Sequence, residues 1–347
     1  MYHVDPTKDG RWSDFVEKHP KASVFHTMGW LEALRSAYGY EPVVFTTSSP
    51  SRSLNNGLVL CRVNSFFTGH RLVSLPFSDH CEPLCDSPDD LDLLVRDLQK
   101  TLQEQGLQYL ELRPIDGKFA RITERNGFRP GATFYLHVLD LCQELDELFA
   151  GLDKDSVQRR IQRAERACLT EKCGTSDYLL KEFYRLFVKT RGRHHLPPTP
   201  YIWFLNLIEY FGKALEIRLA SLDGAPIAAI LTLRHKCTVY YKYGCSNAQF
   251  HKFGAMPWLL WRAIVSAKMN GANEFDMGRT EEQNAGLLAF KNHWVPQARR
   301  LVYWRYPKDS SSISVGGWKL EIAKRVFSTM PDSLRAIAGR ITYRHIG

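Results

Sequence analysis

The sequence predicts an α+β protein of two similar halves, each a mixed, mostly antiparallel sheet flanked by helices. Helical and strand patterns follow one another in the same order in both halves of the 347-residue chain. The segment GLQYLELR at 106–113 also parallels GANEFDMGR at 271–279, with a glycine, alternating apolar and acidic residues, and then an arginine. These two observations predict a duplicated fold.

The elements of the first half begin with a helical region around GWLEALRSA at 29–37. Strands are predicted near 42–47, 57–63 and 71–75. A helix is predicted for 88–105, because Ser-Pro-Asp-Asp is a favourable start, apolar residues recur at helical spacing and Gly106 suits a C-cap.

The second half repeats this order. Helices are predicted at 156–167, about 177–190 and near 200–212, and strands at 215–222, 225–233 and 238–245. Asp223-Gly224 is a two-residue hairpin signal between the first two of these strands. Pro257 and Gly271 mark the start and end of a helix at 257–270. We therefore predict domains at 1–145 and 146–306, the second one active, and a linker and tail at 307–347.

Composition indicates a globular protein, with 44% hydrophobic and 24% charged residues. The start, MYHVDPTKDGRWSDF, has no apolar signal core, and no run reaches the ~18 apolar residues of a membrane span, so we expect a cytoplasmic protein. The eight cysteines are expected to be reduced core residues. Cys81 and Cys85 lack a second pair at matching spacing, so no metal site is predicted.

The net charge of +9 favours an anionic partner, namely a phosphorylated small molecule, RNA or an acidic membrane surface. Positive charge is concentrated in the second half. QRRIQRAER at 158–166 has four arginines against one glutamate, and 291–308 has five basic residues and no acidic one.

Several segments carry a family resemblance. They are FHTMGWLEAL, LVSLPFSDHCEPL, DSVQRRIQRAERA, KTRGRHHLPPTP, YYKYGCSN and FDMGRTEEQNAGLLAFKNHW, all of which lie within 25–296. Each half resembles the Gcn5-related N-acetyltransferase fold, and the tandem arrangement resembles the Fem family of peptidoglycan-bridge aminoacyltransferases. The resemblance implies transfer of an acyl or aminoacyl group. The coiled-coil arm common in Fem enzymes has no counterpart here, since no long heptad stretch occurs.

The segment SNAQFHKFGAMPWLLWRAI predicts an anion site. Gly254 precedes a helix whose free N–H groups and positive dipole end suit a phosphate, and His251 and Lys252 add charge. The resemblance implies that this turn holds the pyrophosphate of coenzyme A. An ordinary helix entrance is the alternative.

Two further sets of basic residues are candidates for phosphate binding. Arg159, Arg163 and Arg166 share one helix side, and the resemblance implies that they hold the phosphates of a nucleotide-sugar or lipid-pyrophosphate substrate. A solvated helix face is the alternative. Arg191, beside a turn, is a second candidate.

Asp276 lies inside an apolar strand, where a charge is costly unless it is paired. Arg279 or Lys291 would supply the pairing. In a catalytic interpretation Asp276 accepts a proton from the acceptor amine and Tyr243 positions the acyl donor. A buried structural ion pair is the alternative, and we favour it.

Residues 307–317 resemble a linker, and 318–347 have helical apolar spacing with an excess of basic residues. This tail fits peripheral docking on an anionic membrane, at the inner face of the cytoplasmic membrane, or packing on the protein itself.

The predicted function is acyl or aminoacyl transfer to an amine of a phosphorylated saccharide or cell-envelope precursor, by direct attack on a thioester or aminoacyl ester. No tightly bound cofactor is expected. The donor is acyl-CoA or aminoacyl-tRNA, and the acceptor is a phosphorylated small molecule or a lipid-linked one. A nonenzymatic RNA-binding or membrane-associated scaffold is the alternative.

Overall fold

A computed structural model describes residues 1–65, 69–115, 117–307 and 343 of the chain. The first half contains four α-helices and six strands among these residues. The helices are α1 (Gly10–Lys18), α2 (Met28–Tyr38), α3 (Pro88–Glu104) and α4 (Lys118–Arg125), and the strands are β1 (Tyr2–Val4), β2 (Glu41–Thr46), β3 (Leu58–Ser65), β4 (Gly69–Val73), β5 (Tyr109–Leu112) and β6 (Arg129–Asp140).

The second half follows the same order of strands, with a π-helical turn at Lys154–Gln158 and a 3-10 segment at Ala248–Phe253. Its helices are α5 (Leu145–Gly151), α6 (Arg159–Arg166), α7 (Asp177–Arg193), α8 (Tyr201–Phe211), α9 (Ala255–Met269) and α10 (Ala285–Asn292). Its strands are β7 (Thr170–Gly174), β8 (Leu215–Leu222), β9 (Ala225–His235), β10 (Thr238–Ser246), β11 (Glu274–Glu281) and β12 (Arg299–Tyr306).

Local signals set several of these boundaries, as predicted. The Ser87 hydroxyl caps α3 by accepting a hydrogen bond from the amide of Asp90. Asp223 and Gly224 both have positive φ, 50° and 78°, and join β8 to β9 in a two-residue turn. The α+β class and the mostly antiparallel sheets are confirmed.

The described residues form two compact units, Met1–Thr133 with 301–307, and Phe134–Arg300. In the first unit the strands hydrogen-bond in the order β1, β2, β3, β4, β5, β12, and in the second in the order β6, β11, β10, β9, β8, β7. One neighbouring pair in each unit, β4 with β5 and β10 with β11, is parallel, and the other pairings that the structure describes within the units are antiparallel. The domain limits predicted from the sequence stay a prediction.

β6 is the last strand of the first half of the sequence, but it pairs with a strand of the second unit. β12 is the last strand of the second half, but it pairs with a strand of the first unit. Residues 134–140 of β6 pair with β11, and residues 304–306 of β12 pair with β5. Each sheet therefore takes its final strand from the distant half of the chain.

The second unit has helices on both faces of its sheet. Helices α6 and α9 share one hydrophobic core, in which Ile161, Ala164 and Ile264 are buried. Helices α7 and α8 pack Phe187 and Phe204 against Tyr243 of β10. Strands β8 to β10 therefore lie between two helical layers.

The cysteine prediction is partly wrong. All eight thiols are free, but Cys142, Cys168, Cys173 and Cys237 are exposed, because the strand, turn and loop positions that they occupy lie at the surface. Only the other four are core residues.

Within the described ranges, no helix combines the length and apolar character that crossing a bilayer demands. The predicted amphipathic tail at 318–347 lies outside the described residues, apart from Tyr343.

Candidate active site

Strands β10 and β11 run parallel and then separate. Their register covers three residue pairs and ends at Tyr240 and Asp276, while β10 continues to Ser246. The parallel ladder between the two strands therefore ends at Tyr240. An opening between parallel strands exposes backbone N–H groups, which can bind an acyl chain or a developing oxyanion.

A β-bulge lies on β10 beside this opening. Lys242 is the extra residue between Tyr241 and Tyr243. Residues two apart on a strand normally share a face, but the bulge separates this pair. Tyr241 packs against the core of α6 and α9, whereas the Tyr243 hydroxyl accepts a hydrogen bond from Trp203 Nε1 at 2.8 Å in the layer of α7 and α8.

The entrance to α9 requires a glycine. Gly254 has φ +74°, and a Cβ there would lie 2.2 Å from the carbonyl oxygen of Arg160 in α6. No side chain caps α9, and its first turn has no acidic residue. Its first amides are therefore open to a ligand, as the predicted anion site requires.

A cavity of about 200 Å³ lies at this entrance. It is lined by Ser246 and the 3-10 segment that follows, by the first turn of α9, by Phe290 of α10 and by Arg160. Pockets that enclose whole ligands are larger, roughly 300–1,000 Å³. The cavity is therefore suited to one end of a ligand, such as a phosphate group.

Positive charge surrounds the cavity. Arg163 Nη1 donates to the carbonyl oxygen of Lys252 at 3.2 Å, and Arg193 Nη1 donates to that of Ser246 at 3.3 Å. Arg160 is exposed at the rim. Helix α6, the end of α7 and the helix entrance thus bring their basic residues to one place.

His251 lies inside this cluster of charges. Its Nε2 shares a hydrogen bond of 2.9 Å with the Ser246 hydroxyl. Burial first, and then the charges of Arg193 and Arg160, lower the pKa of His251 below the usual histidine value. The ring is therefore neutral near pH 7 and becomes an additional cation in acid.

The strand β11 carries a second bulge, just beyond the point where it leaves β10. Asp276 pairs with Val138 and Arg279 with Leu136, so that Met277 and Gly278 lie opposite one residue of β6. That residue is His137, and burial lowers its pKa. Its Nε2 shares a hydrogen bond with the side chain of Asn292.

Asp276 and Lys291 both hold this bulge in shape. The Asp276 carboxylate accepts a hydrogen bond from the amide of Gly278 at 2.6 Å. Lys291 Nζ donates to the carbonyl oxygens of Gly278 and Arg279, at 2.9 and 3.0 Å. The Arg279 guanidinium lies 4.0 Å from the centre of the Phe134 ring.

The predicted site residues therefore fall into three groups. Lys252, Gly254 and Arg163 meet at the helix entrance, and Asp276, Arg279 and Lys291 meet at the bulge of β11. Tyr243 and Arg191 both contact Phe187, and Arg191 also donates to the Pro197 carbonyl. Helix α10 links the first two groups, because Phe290 lines the cavity and Lys291 holds the bulge.

Arg159 lies apart from the cavity. It forms an ion pair with Asp155 one turn earlier, and both side chains are well exposed. Sequence reasoning instead missed Arg160, Arg193 and Ser246. Arg160 had a usable signal, because it flanks the apolar stripe by which α6 packs on α9.

The corresponding edge of the first unit is covered by the chain itself. Beyond Val73 at the end of β4, the amides of Ser74 and Cys81 donate to the carbonyls of Glu111 and Arg113, each at 2.7 Å. Helix α3 has a side-chain cap and two aspartates in its first turn, which disfavour an anion. A parallel ladder that ends early beside a helix without a side-chain cap is thus a feature of the second unit.

Comparisons with known proteins agree with this fold. Residues 154–292 match the model of the acetyltransferase (GNAT) domain family. A search of curated protein sequences finds no significant match.

Three solved structures illustrate the structural likeness. FemX has a TM-score of 0.70 at 13% identity, over 91% of this chain and 100% of its own. The C-terminal domain of a protein assigned as a lysylphosphatidylglycerol synthetase, from Agrobacterium fabrum, has a TM-score of 0.62 at 15% identity, and the alignment covers 91% of this chain and 96% of that domain. A tandem GNAT protein from the clavulanic acid biosynthesis pathway has a TM-score of 0.55 at 13% identity, and the alignment covers 88% of this chain and 98% of that protein.

The family match covers most of the second unit, and the structural likeness extends over both units. Residues 154–292 are similar to the GNAT domain family, and the fold of the chain is similar to those of FemX and of a tandem GNAT protein.

Proposed function

We propose that the second unit transfers an acyl or aminoacyl group from a phosphorylated donor to an amine. The observation that carries this proposal is the opening between β10 and β11 next to the uncapped entrance of α9. An extended donor with a phosphate at one end and an acyl group at the other fits such a pair of features. Acyl-CoA and aminoacyl-tRNA both have this chemistry.

In the proposed complex the helix entrance binds the phosphate. The amides of Ala255 and Met256 donate to it, and Arg160 and Lys252 contribute positive charge, to which His251 adds in acid. The donor then continues along β10 beyond the end of its ladder with β11, where peptide groups can hydrogen-bond to it. This arrangement brings the acyl group toward the two bulges.

The reaction is direct attack of the acceptor amine nitrogen on the acyl carbon. A backbone N–H at the strand opening stabilises the oxyanion of the tetrahedral intermediate. The amine loses a proton, and the thiolate or ribose oxygen leaves and takes up a proton. The Cys245 thiol is no nucleophile in this scheme, because burial raises its pKa.

We assign Asp276 a structural role. Its carboxylate is buried and accepts a hydrogen bond from Gly278, two residues along the same strand. This contact fixes the bulge that widens the opening. Asp276 therefore shapes the cleft, and the proton acceptor is sought elsewhere.

The proposed acceptor is a phosphorylated saccharide or another cell-envelope precursor, in free or lipid-linked form. Two of the similar folds, FemX and a lysylphosphatidylglycerol synthetase domain, support this choice. The excess of basic residues favours a phosphorylated acceptor.

Binding of the donor is the direct test. Isothermal titration of the full chain with coenzyme A, and filter binding with aminoacyl-tRNA, should show that one of them binds in competition with pyrophosphate. Arg160→Ala should weaken that binding about tenfold, which corresponds to one charged hydrogen bond. Arg159→Ala is the matched control, since Arg159 pairs with Asp155 away from the cavity.

The scaffold alternative predicts a different result. Salt-sensitive RNA binding without any consumption of acyl thioester or aminoacyl-tRNA, in the presence of candidate amines, would contradict the enzymatic proposal.

A further inference from the structure

Helix α8 is apolar almost all round, yet one of its faces is exposed. Its sequence is YIWFLNLIEYF, in which Trp203, Phe204 and Leu207 are buried against the unit. Ile202 and Leu205 are 41% and 38% exposed on the opposite side, which also carries the exposed Glu209 near the end of the helix. Helices that are apolar on all sides are normally enclosed, so an open apolar face indicates a binding surface.

Basic residues precede and follow this helix in the sequence. From Lys189 to Lys213 the sequence has four lysines and arginines, two adjacent histidines and one acidic residue, Glu209. Lys189, Arg193 and Lys213 are exposed. Exposed apolar side chains between solvent-facing cations are the composition of a surface that binds anionic lipid.

Tyrosines add a second feature of such a surface. Tyr210 is 37% exposed near the end of α8, and Tyr201 is half-buried at its start. Tyrosine rings are favoured at the boundary between lipid headgroups and acyl chains, because they are apolar with one polar end.

We propose that the exposed face of α8 docks the protein on an anionic lipid bilayer. Ile202 and Leu205 enter the boundary between headgroups and acyl chains, while Lys213 contacts lipid phosphates. The surface is separate from the tail at 318–347. Because α8 packs on Tyr243 beside the β10 bulge, docking would place this side of the cleft near the membrane.

The test is flotation of the full chain with vesicles. Vesicles of phosphatidylcholine with about one third phosphatidylglycerol should carry the protein, and pure phosphatidylcholine vesicles should carry much less, with binding that falls as salt is raised. The double variant Ile202→Glu, Leu205→Glu should lower partition about tenfold or more.

Met269→Glu is the matched control, because Met269 is 74% exposed at the end of α9 and away from the α8 face. Both variants change exposed side chains and should keep the thermal unfolding midpoint of the parent. The control should float as the parent does.

Three results would overturn the proposal. In the first, the parent fails to float with anionic vesicles. In the second, the double variant floats as well as the parent, which assigns binding to another part of the chain. In the third, the parent is a dimer that the double variant converts to a monomer, which assigns the α8 face to a second copy of the chain.

Discussion

His251 makes binding at the helix entrance sensitive to pH. Burial and the neighbouring arginines hold its pKa below that of a free histidine, so the ring is neutral near pH 7. As the pH falls through this lowered pKa, the ring gains a positive charge and should strengthen phosphate binding. Coenzyme A titrations between pH 8 and pH 5 should therefore show rising affinity, with proton uptake on binding.

His251→Gln supplies the control for this dependence. The amide keeps a partner for Ser246 but cannot be protonated, so the affinity should no longer rise in acid. An unchanged pH dependence in this variant would assign the effect to another group.

Gly254 and Gly271, before and after α9, allow a paired test of the close contact with α6. Both have positive φ, +74° and +76°, but only Gly254 has a backbone atom in the place of a Cβ. Gly271→Ala should cost only the left-handed strain, about 1–2 kcal/mol. Gly254→Ala should cost more in unfolding free energy and also weaken phosphate binding, because α6 must move. Equal costs in denaturant unfolding would contradict the contact.

At the scale of elements, Lys291 joins α10 to the β11 bulge. Its ammonium group is buried and donates to two carbonyl oxygens, which Lys291→Met would leave without that donor. We expect a loss of about 2–4 kcal/mol in unfolding free energy, because buried unsatisfied groups are costly.

Lys268→Met is the control for this loss. Lys268 Nζ donates to a single, partly buried carbonyl, that of Leu141. Loss of this hydrogen bond should lower the free energy of unfolding by about 1 kcal/mol or less, as measured by urea unfolding. A cost for Lys291→Met no larger than this would mean that the bulge does not depend on the lysine.

The helices and strands were predicted well from the sequence, because local chemistry sets where they begin and end. The Ser87 cap and the Asp223-Gly224 turn act within a few residues and are visible in the sequence. The site was harder to predict, since it depends on which side of α6 meets the Gly254 turn. Packing decides that side, and it selects Arg160 at the cavity and leaves Arg159 with Asp155.

At the scale of the whole molecule, the crossed final strands could not be predicted from the sequence. β6 and β12 each follow a helix and a turn, as a last strand of their own half would. The residues of a strand do not by themselves determine which sheet edge the strand will join. Tertiary packing determines that β6 pairs with β11 and that β12 pairs with β5.

Cutting the chain between residues 145 and 146 should therefore give two incomplete sheets. The fragment 1–145 lacks β12 and leaves an edge of β5 open, and the fragment 146–347 lacks β6 beside β11. We expect each fragment alone to be unfolded or aggregated by circular dichroism and light scattering, because open edges associate. Two soluble, folded fragments would show that each half completes its own sheet.

The crossed strands also have a consequence for how the protein is made. β5 ends at Leu112, but its partner β12 begins at Arg299, so the ribosome adds nearly two hundred residues between them. At roughly 5–20 residues per second, the incomplete sheet waits on the order of 10–40 s. During synthesis the exposed edge of β5 is thus a natural place for a chaperone to act.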